Sequence, residues 1–141
     1  MKKTILLFFV ITGIISCTEN DSNLDTTVSD LIIGEWQLQS IIENGVDVDL
    51  TECELKSTLT FNQNDSLTGV SYVMDNIKSC YSEDEGSTWK NKSDNTYIID
   101  GCSIDVFFSE NNTALEMKII NKPSDHEGLF KGMDNVHFKK K

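Results

Sequence analysis

The chain has 141 residues, with 23 Asp and Glu against 12 basic residues, and a formal net charge of −11. This length accommodates one small domain, and so acidic a surface repels the phosphate backbone, which disfavours nucleic-acid binding. Every basic residue is a lysine, which excludes bidentate recognition of phosphate or carboxylate by arginine.

The first 16 residues have the features of a secretory signal peptide. Lys2 and Lys3 precede an apolar run over residues 5–15 that is too short for a stable membrane span. The sequence Ile14-Ile15-Ser16-Cys17 resembles a bacterial lipobox, in which the cysteine is acylated and begins the mature protein. The resemblance implies a lipid anchor on Cys17, with an ordinary signal peptide as the alternative. Acyl chains there would tether the protein to membrane lipid without spanning the bilayer.

For residues 17–30, the sequence predicts a lipidated N-terminus followed by a flexible acidic tether. They contain almost no apolar side chains and therefore cannot form a packed core. Glu19 and Asp21 follow the cysteine closely, and this resembles the signal by which Bacteroidetes lipoproteins reach the outer face of the outer membrane. We expect an outer-membrane location, with the cell-surface and periplasmic faces both left open.

From residue 31 to the end, the hydrophobic pattern repeats every two residues, which predicts β-strands. The first strand covers residues 34–42, with Trp36 and Leu38 on one face, and Glu43-Asn44-Gly45 turns the chain. Further strands are predicted at 55–61, 67–74, 77–81, 87–92, 97–100, 102–109, 114–121 and 128–139. The acidic Glu83-Asp84-Glu85-Gly86 is expected at a hairpin tip. This all-β chain must close into a barrel or fold into a sandwich to protect its edges.

Two tryptophan motifs point to a family. Gly34-Glu35-Trp36 stands at the start of the first strand, as Gly-x-Trp does in lipocalins, where the tryptophan plugs one end of the barrel. With Val48-Asp49-Leu50-Thr51-Glu52-Cys53, Ser57-Thr58-Leu59-Thr60-Phe61, Cys80 and Gly86-Ser87-Thr88-Trp89, the chain resembles the lipocalin-like domain lipoproteins common in Bacteroidetes. The resemblance implies a small antiparallel up-and-down barrel of about eight strands over residues 31–141. Lipocalins place an arginine over the tryptophan; here we expect Lys139 to cover the ring by cation–π contact.

Three cysteines remain when Cys17 is reserved for lipid, and they allow three different single bridges. Cys53 and Cys80 both lie near polar loop segments, and the family resemblance implies that these two form a disulfide. Cys102 shares its strand parity with Ile104 and Val106, so we expect a buried free thiol. A zinc site on the three cysteines is a weaker alternative, because no Cys-x-x-Cys or histidine cluster supports it.

The remaining polar residues give no catalytic pattern. His126 is expected in a solvated loop, and His137 on the outward parity of the last strand. The acidic cluster at residues 83–85 lacks the ordered spacing of a calcium loop, and no serine stands in a nucleophile elbow. We therefore predict a protein that is not an enzyme and that has neither a metal nor a cofactor.

Two functions from different classes remain. The first is a membrane-anchored lipoprotein whose barrel interior binds a small hydrophobic ligand. The expected lining is Trp36, Leu38, Leu59, Phe61, Tyr97, Ile104, Val106, Leu115 and Met117. The same residues equally suit a packed core, because an eight-stranded barrel is only just wide enough for its own side chains. The second function is an interaction module of a cell-surface complex, which would present outward apolar residues to a protein partner: Ile41, Ile98, Phe107 and Ile120.

Overall fold

The computed structural model describes residues 30–75, 77–123 and 128–141. Over these ranges the chain forms one 3-10 turn, Glu54–Lys56, and nine β-strands. The strands are β1 (Gly34–Glu43), β2 (Val46–Asp47), β3 (Thr58–Phe61), β4 (Ser66–Met74), β5 (Cys80–Ser93), β6 (Thr96–Ile99), β7 (Cys102–Ser109), β8 (Ala114–Asn121) and β9 (Asn135–Lys140). None of the described segments is an apolar helix of membrane-spanning length.

Within the described residues, eight of the strands close into an antiparallel barrel. Strands β3 to β9 pair in chain order, and β1 closes the ring by pairing with both β3 and β9. The two-residue β2 pairs with the end of β1 alone and extends it as a short hairpin. The up-and-down barrel predicted from the sequence is confirmed.

The period-two pattern explains which side chains fill the barrel. In β7, Cys102, Ile104 and Val106 are completely buried, whereas Ser103 and Asp105 between them are only partly covered. Successive side chains of a strand point to opposite faces of the sheet, so a strand of this composition buries one face and leaves the other in contact with solvent. The buried faces of the barrel strands meet in one continuous hydrophobic core.

The β1–β2 turn follows its local sequence. Asn44 and Gly45 have φ angles of 52° and 76°. A two-residue hairpin of this kind needs positive φ at both positions, and Asn-Gly is the pair that adopts it most readily. The turn predicted at residues 43–45 is confirmed.

The β4–β5 hairpin differs from the sequence prediction. Strands expected at 77–81 and 87–92 are one continuous strand, β5, and Glu83, Asp84 and Glu85 pair along β4 instead of forming a tip. The turn lies earlier, where the Asp75 carboxylate accepts hydrogen bonds from the backbone N–H groups of Ile77 and Ser79. Because this part of β5 is exposed on both faces, the acidic side chains remain in water and do not oppose strand formation.

Two other strands are shorter than predicted. The strand expected at 55–61 begins only at Thr58, because the preceding residues form the 3-10 turn. The strand expected at 128–139 begins at Asn135. Residues 128–134 form turns, in which Lys131 N–H donates to the Gly128 carbonyl and Gly132 has a φ of 80°.

A β-bulge in β1 corrects the prediction that Ile41 faces outward. Leu38 pairs with Phe138 of β9, but the next pair is Ser40 with His137, so Gln39 is an extra residue on β1. One extra residue shifts the inward and outward alternation by one position. Ile41 therefore points into the barrel and is buried.

Several predictions fall outside the described residues. They concern the signal peptide at 1–16, the lipid site at Cys17, the tether as far as residue 29, and the loop position of His126.

Candidate functional site

Trp36 closes one end of the barrel, called here the closed end. Its side chain is completely buried, and its Nε1–H donates a hydrogen bond of 2.7 Å to the Ile32 carbonyl. The ring packs on Phe108 at a centroid distance of 6.0 Å. Lys140 Nζ lies 5.1 Å from the Trp36 ring centroid. Lys140, and not the predicted Lys139, thus makes the cation–π contact.

Gly34 leaves room for this contact. A Cβ atom at Gly34 would lie 3.1 Å from Lys140 Cε, and the φ of Gly34 is 134°, a backbone conformation that side chains disfavour. The glycine of the Gly-x-Trp motif therefore adopts a backbone conformation that side chains disfavour, and it leaves space for the lysine that covers the tryptophan.

Asp30 fastens the incoming chain to the closed end. Its Oδ1 accepts a 2.6 Å hydrogen bond from the Tyr97 hydroxyl, and its Oδ2 accepts one of 3.0 Å from Asn91 Nδ2. Burial raises the pKa of Tyr97, and the hydrogen bond to Asp30 and the negative charge of that carboxylate raise it further. Tyr97 thus stays protonated and donates to Asp30.

The opposite end of the barrel contains a cavity of about 260 Å³. Residues of β1, β4 and β9 form much of its wall. Ser71, on this wall, is exposed and marks an opening to solvent. Most of its wall is apolar. The lining residues are Leu38, Ile41, Leu50, Glu54, Ser57, Thr58, Leu59, Gly69, Val70, Ser71, Tyr72, Val73, Leu129, Phe130, Met133, Val136 and Phe138.

One side of the cavity is closed by residues 48–57, because β3 is too short to fill the space between β1 and β4. Ser57 bridges those two strands: its carbonyl accepts from Leu38 N–H and its hydroxyl accepts from Tyr72 N–H, both at 2.9 Å. Gln37 Nε2 also donates to the Leu55 carbonyl at 2.9 Å. The segment is therefore a fixed part of the wall.

A disulfide between Cys53 and Cys80 links this segment to the start of β5, as predicted. The pairing joins residues 27 positions apart in the chain. Cys102 is a free, completely buried thiol, also as predicted. Burial raises the pKa of this thiol, and the neighbouring Asp100 charge acts in the same direction.

Residues 129 and 130, in the turns that precede β9, form part of the cavity wall. Phe130 is buried in the core, and Leu129 N–H donates a 2.9 Å hydrogen bond to Asp100 Oδ2. The Leu129 side chain lies so close to β4 that a Cβ atom at Gly69 would be 2.6 Å from Leu129 Cδ2. Glycine at position 69 thus leaves space for the Leu129 side chain to pack against β4.

Glu54 is the charged residue among the described residues that line the cavity. Its Oε2 accepts hydrogen bonds from Thr51 N–H and Thr51 Oγ1 at 2.8 and 2.7 Å, and Glu54 N–H donates to Thr51 Oγ1 at 3.2 Å. This reciprocal pattern is a capping box. It fixes the orientation of this solvent-exposed carboxylate at the first residue of the 3-10 turn.

All nine residues predicted to line a ligand site are buried, and all belong to the single core cluster. Leu38 and Leu59 line the cavity. The other seven pack elsewhere in the core: Trp36, Phe61, Tyr97, Ile104, Val106, Leu115 and Met117. The structure therefore places the empty space at one end of the barrel and fills the rest with side chains.

Several wall residues were missed by sequence reasoning. Val136 and Phe138 alternate with polar neighbours in β9, so the period-two rule applied there would have found them. Thr51-Glu52-Cys53-Glu54 carries the capping-box signature, which would have marked the turn. Leu129 and Phe130 lie in a loop without periodicity, and no local signal indicates their position.

The remaining polar candidates lie away from the cavity. His137 is half-buried on the outer side of β9, where Glu116 is its cross-strand neighbour. The described residues include no group of three or more His, Cys, Asp or Glu side chains placed to hold a metal ion. The acidic residues of β5 are all exposed.

Comparison with known proteins gives one family match. The family model described as a lipocalin-like domain matches residues 32–121, which include strands β1 to β8. No curated protein matches the chain. The match spans most of the barrel, including the Trp36 plug and most of the cavity wall.

Proposed function

The chain belongs to the lipocalin-like domain family, and we propose on this basis that it binds a small apolar ligand in the cavity beside Ser71. The role is one of binding without catalysis. The observation that carries the proposal is the partly open, mostly apolar space of about 260 Å³ at one end of an otherwise packed barrel.

The size of the cavity limits the ligand. Small-molecule pockets commonly measure ~300 to 1,000 Å³, so this cavity lies just below that range. It suits a compact molecule or the end of a longer chain whose remainder extends through the opening. A ligand that contacts Leu38, Leu59 and Phe138 would displace water from these apolar side chains. This burial would drive binding, at about 25 cal/mol for each Å² of apolar surface buried.

The binding proposal is tested by filling the cavity. Ser71 lines it and Thr68 is exposed on the same strand outside it, so Ser71→Trp blocks the space while the matched Thr68→Trp leaves it open. Isothermal titration calorimetry with octanol, a small apolar probe, is expected to show saturable binding to the natural protein. We expect Ser71→Trp to weaken that binding by at least about tenfold, equivalent to about 1.4 kcal/mol.

We further propose that the protein is a lipoprotein, anchored in the outer membrane through acylated Cys17. The lipobox-like sequence at residues 14–17 supports this anchor. Asp30 contacts Tyr97 and Asn91 at the closed end of the barrel, so a tether from Cys17 reaches the barrel there.

The anchor is tested by lipid labelling. Cells that express the full chain and are grown with an alkyne-tagged palmitate analogue are expected to label the natural protein and the control Cys102→Ala. Cys17→Ala is expected to carry no label, because the variant lacks the thiol to which the acyl chain is attached. Equal labelling of Cys17→Ala and Cys102→Ala would refute the anchor.

The alternative, an interaction module that uses the outer surface, receives less support. It depended on a set of outward apolar residues, of which Ile41 is buried by the β1 bulge and Ile98 is half-buried. Phe107 and Ile120 are exposed, but Glu116 lies directly across from Phe107. Among the described residues, these four side chains therefore do not form the continuous apolar patch that a stable docking site needs.

A further inference from the structure

We propose that the cavity selects its ligand by charge and prefers apolar molecules with a cationic headgroup, such as primary alkylamines, over those with a carboxylate. The inference rests on the proposed binding function and adds the chemical class of the ligand. It follows from the position of one carboxylate, Glu54, on an otherwise uncharged wall.

The geometry of Glu54 favours a ligand contact. Both of its hydrogen bonds from Thr51 end on Oε2, and Oε1 has no hydrogen-bond partner among residues 30–75, 77–123 and 128–141. The capping box fixes the carboxylate before any ligand arrives, so an ammonium group would meet a preorganised acceptor. A charge-assisted hydrogen bond to such an acceptor is stronger than a neutral one.

The described residues that line the cavity include no lysine. Lys56, Lys131 and Lys139 each adjoin a lining residue in sequence, but all three are exposed and none is part of the wall. The chain as a whole carries a net charge of −11 and has no arginine. A carboxylate headgroup would therefore lose water and be repelled by Glu54 without gaining an ion pair.

The test uses three probes with the same alkyl chain. Octanol, octylamine and octanoate carry a neutral, a cationic and an anionic headgroup near neutral pH, and each is titrated into the purified full chain by calorimetry. We expect octylamine to bind at least about threefold more tightly than octanoate, because Glu54 attracts the ammonium group and repels the carboxylate. Octanol reports on the cavity itself, independently of headgroup charge.

Two variants assign the preference to one residue. Glu54→Gln keeps a side chain that can form a capping box but removes the charge. Glu52→Gln, two residues earlier in the same segment, removes an exposed carboxylate outside the wall. We expect Glu54→Gln to abolish most of the preference for octylamine and Glu52→Gln to retain it, with octanol binding unchanged in Glu52→Gln.

The outcomes separate the two proposals. Octanol binding with equal affinities for octylamine and octanoate would overturn the charge preference and leave the binding function standing. A preference that survives Glu54→Gln, or is lost equally in Glu52→Gln, would also overturn the role of Glu54. Failure of all three probes to bind would overturn both proposals.

Discussion

At the scale of single residues, Lys140 over Trp36 shows how a lysine takes a position that lipocalins give to arginine. Across the β1–β9 ladder, Trp36 is the direct partner of Lys140. The ammonium lies 5.1 Å from the indole centroid, within the range of a cation–π interaction. The contact stabilises the plug at the closed end.

Lys140→Gln is expected to lower the free energy of unfolding by about 0.5 to 1 kcal/mol, because it removes the cation from the Trp36 ring. Lys139→Gln is the matched control, since it removes the same charge from an exposed neighbouring position. Urea denaturation followed by tryptophan fluorescence measures both. Equal losses in the two variants would show that net charge, and not the ring contact, is responsible.

The sequence contained enough information to choose Lys140. Val136 and Phe138 are the inward residues of β9, and Lys140 continues their parity whereas Lys139 does not. The same parity rule correctly placed Cys102 inside the barrel. It failed for Ile41, because a bulge at Gln39 arises from pairing with a distant strand and has no local sequence signal.

At the scale of elements, the Cys53–Cys80 disulfide holds the segment that walls the cavity. In the chain-entropy account, a crosslink between residues 27 apart stabilises the fold by roughly 3.5 kcal/mol. Cys53 immediately precedes the 3-10 turn that carries Glu54, so the disulfide also holds this turn in place. The disulfide therefore contributes both to stability and to the shape of the site.

The double variant Cys53→Ser/Cys80→Ser is expected to lose roughly 3.5 kcal/mol of unfolding free energy relative to the oxidised protein. Chemical denaturation of both proteins gives the difference. Cys102→Ala keeps the crosslink and loses one small buried side chain, so its loss is expected to be smaller. A double variant as stable as the natural protein would contradict this account of the segment.

Most strands were predictable from local sequence, whereas two kinds of boundary were not. The order of the strands and the Asn44-Gly45 turn followed from period-two alternation and turn chemistry. The β4–β5 tip was misplaced because acidic residues in an exposed strand resemble a loop in composition. Residues 128–134 form turns although their apolar residues predict a strand, because Leu129 and Phe130 pack into the barrel mouth without forming a ladder.

At the scale of the whole molecule, the barrel is divided into a packed part and an open part. Trp36 and its neighbours fill the closed end, and the short β3 leaves space between β1 and β4 that residues 48–57 only partly fill. The closed barrel was predictable from strand count and family resemblance. The position of the cavity was not, because it depends on packing between segments far apart in sequence.

The central claim is that the space at the open end binds an apolar ligand. It is tested most directly by calorimetric titration of octanol into the natural protein, Ser71→Trp and Thr68→Trp. The account predicts one saturable site per chain in the natural protein and in Thr68→Trp, and binding at least about tenfold weaker in Ser71→Trp. Absence of binding to the natural protein, or equal binding to all three proteins, would contradict it.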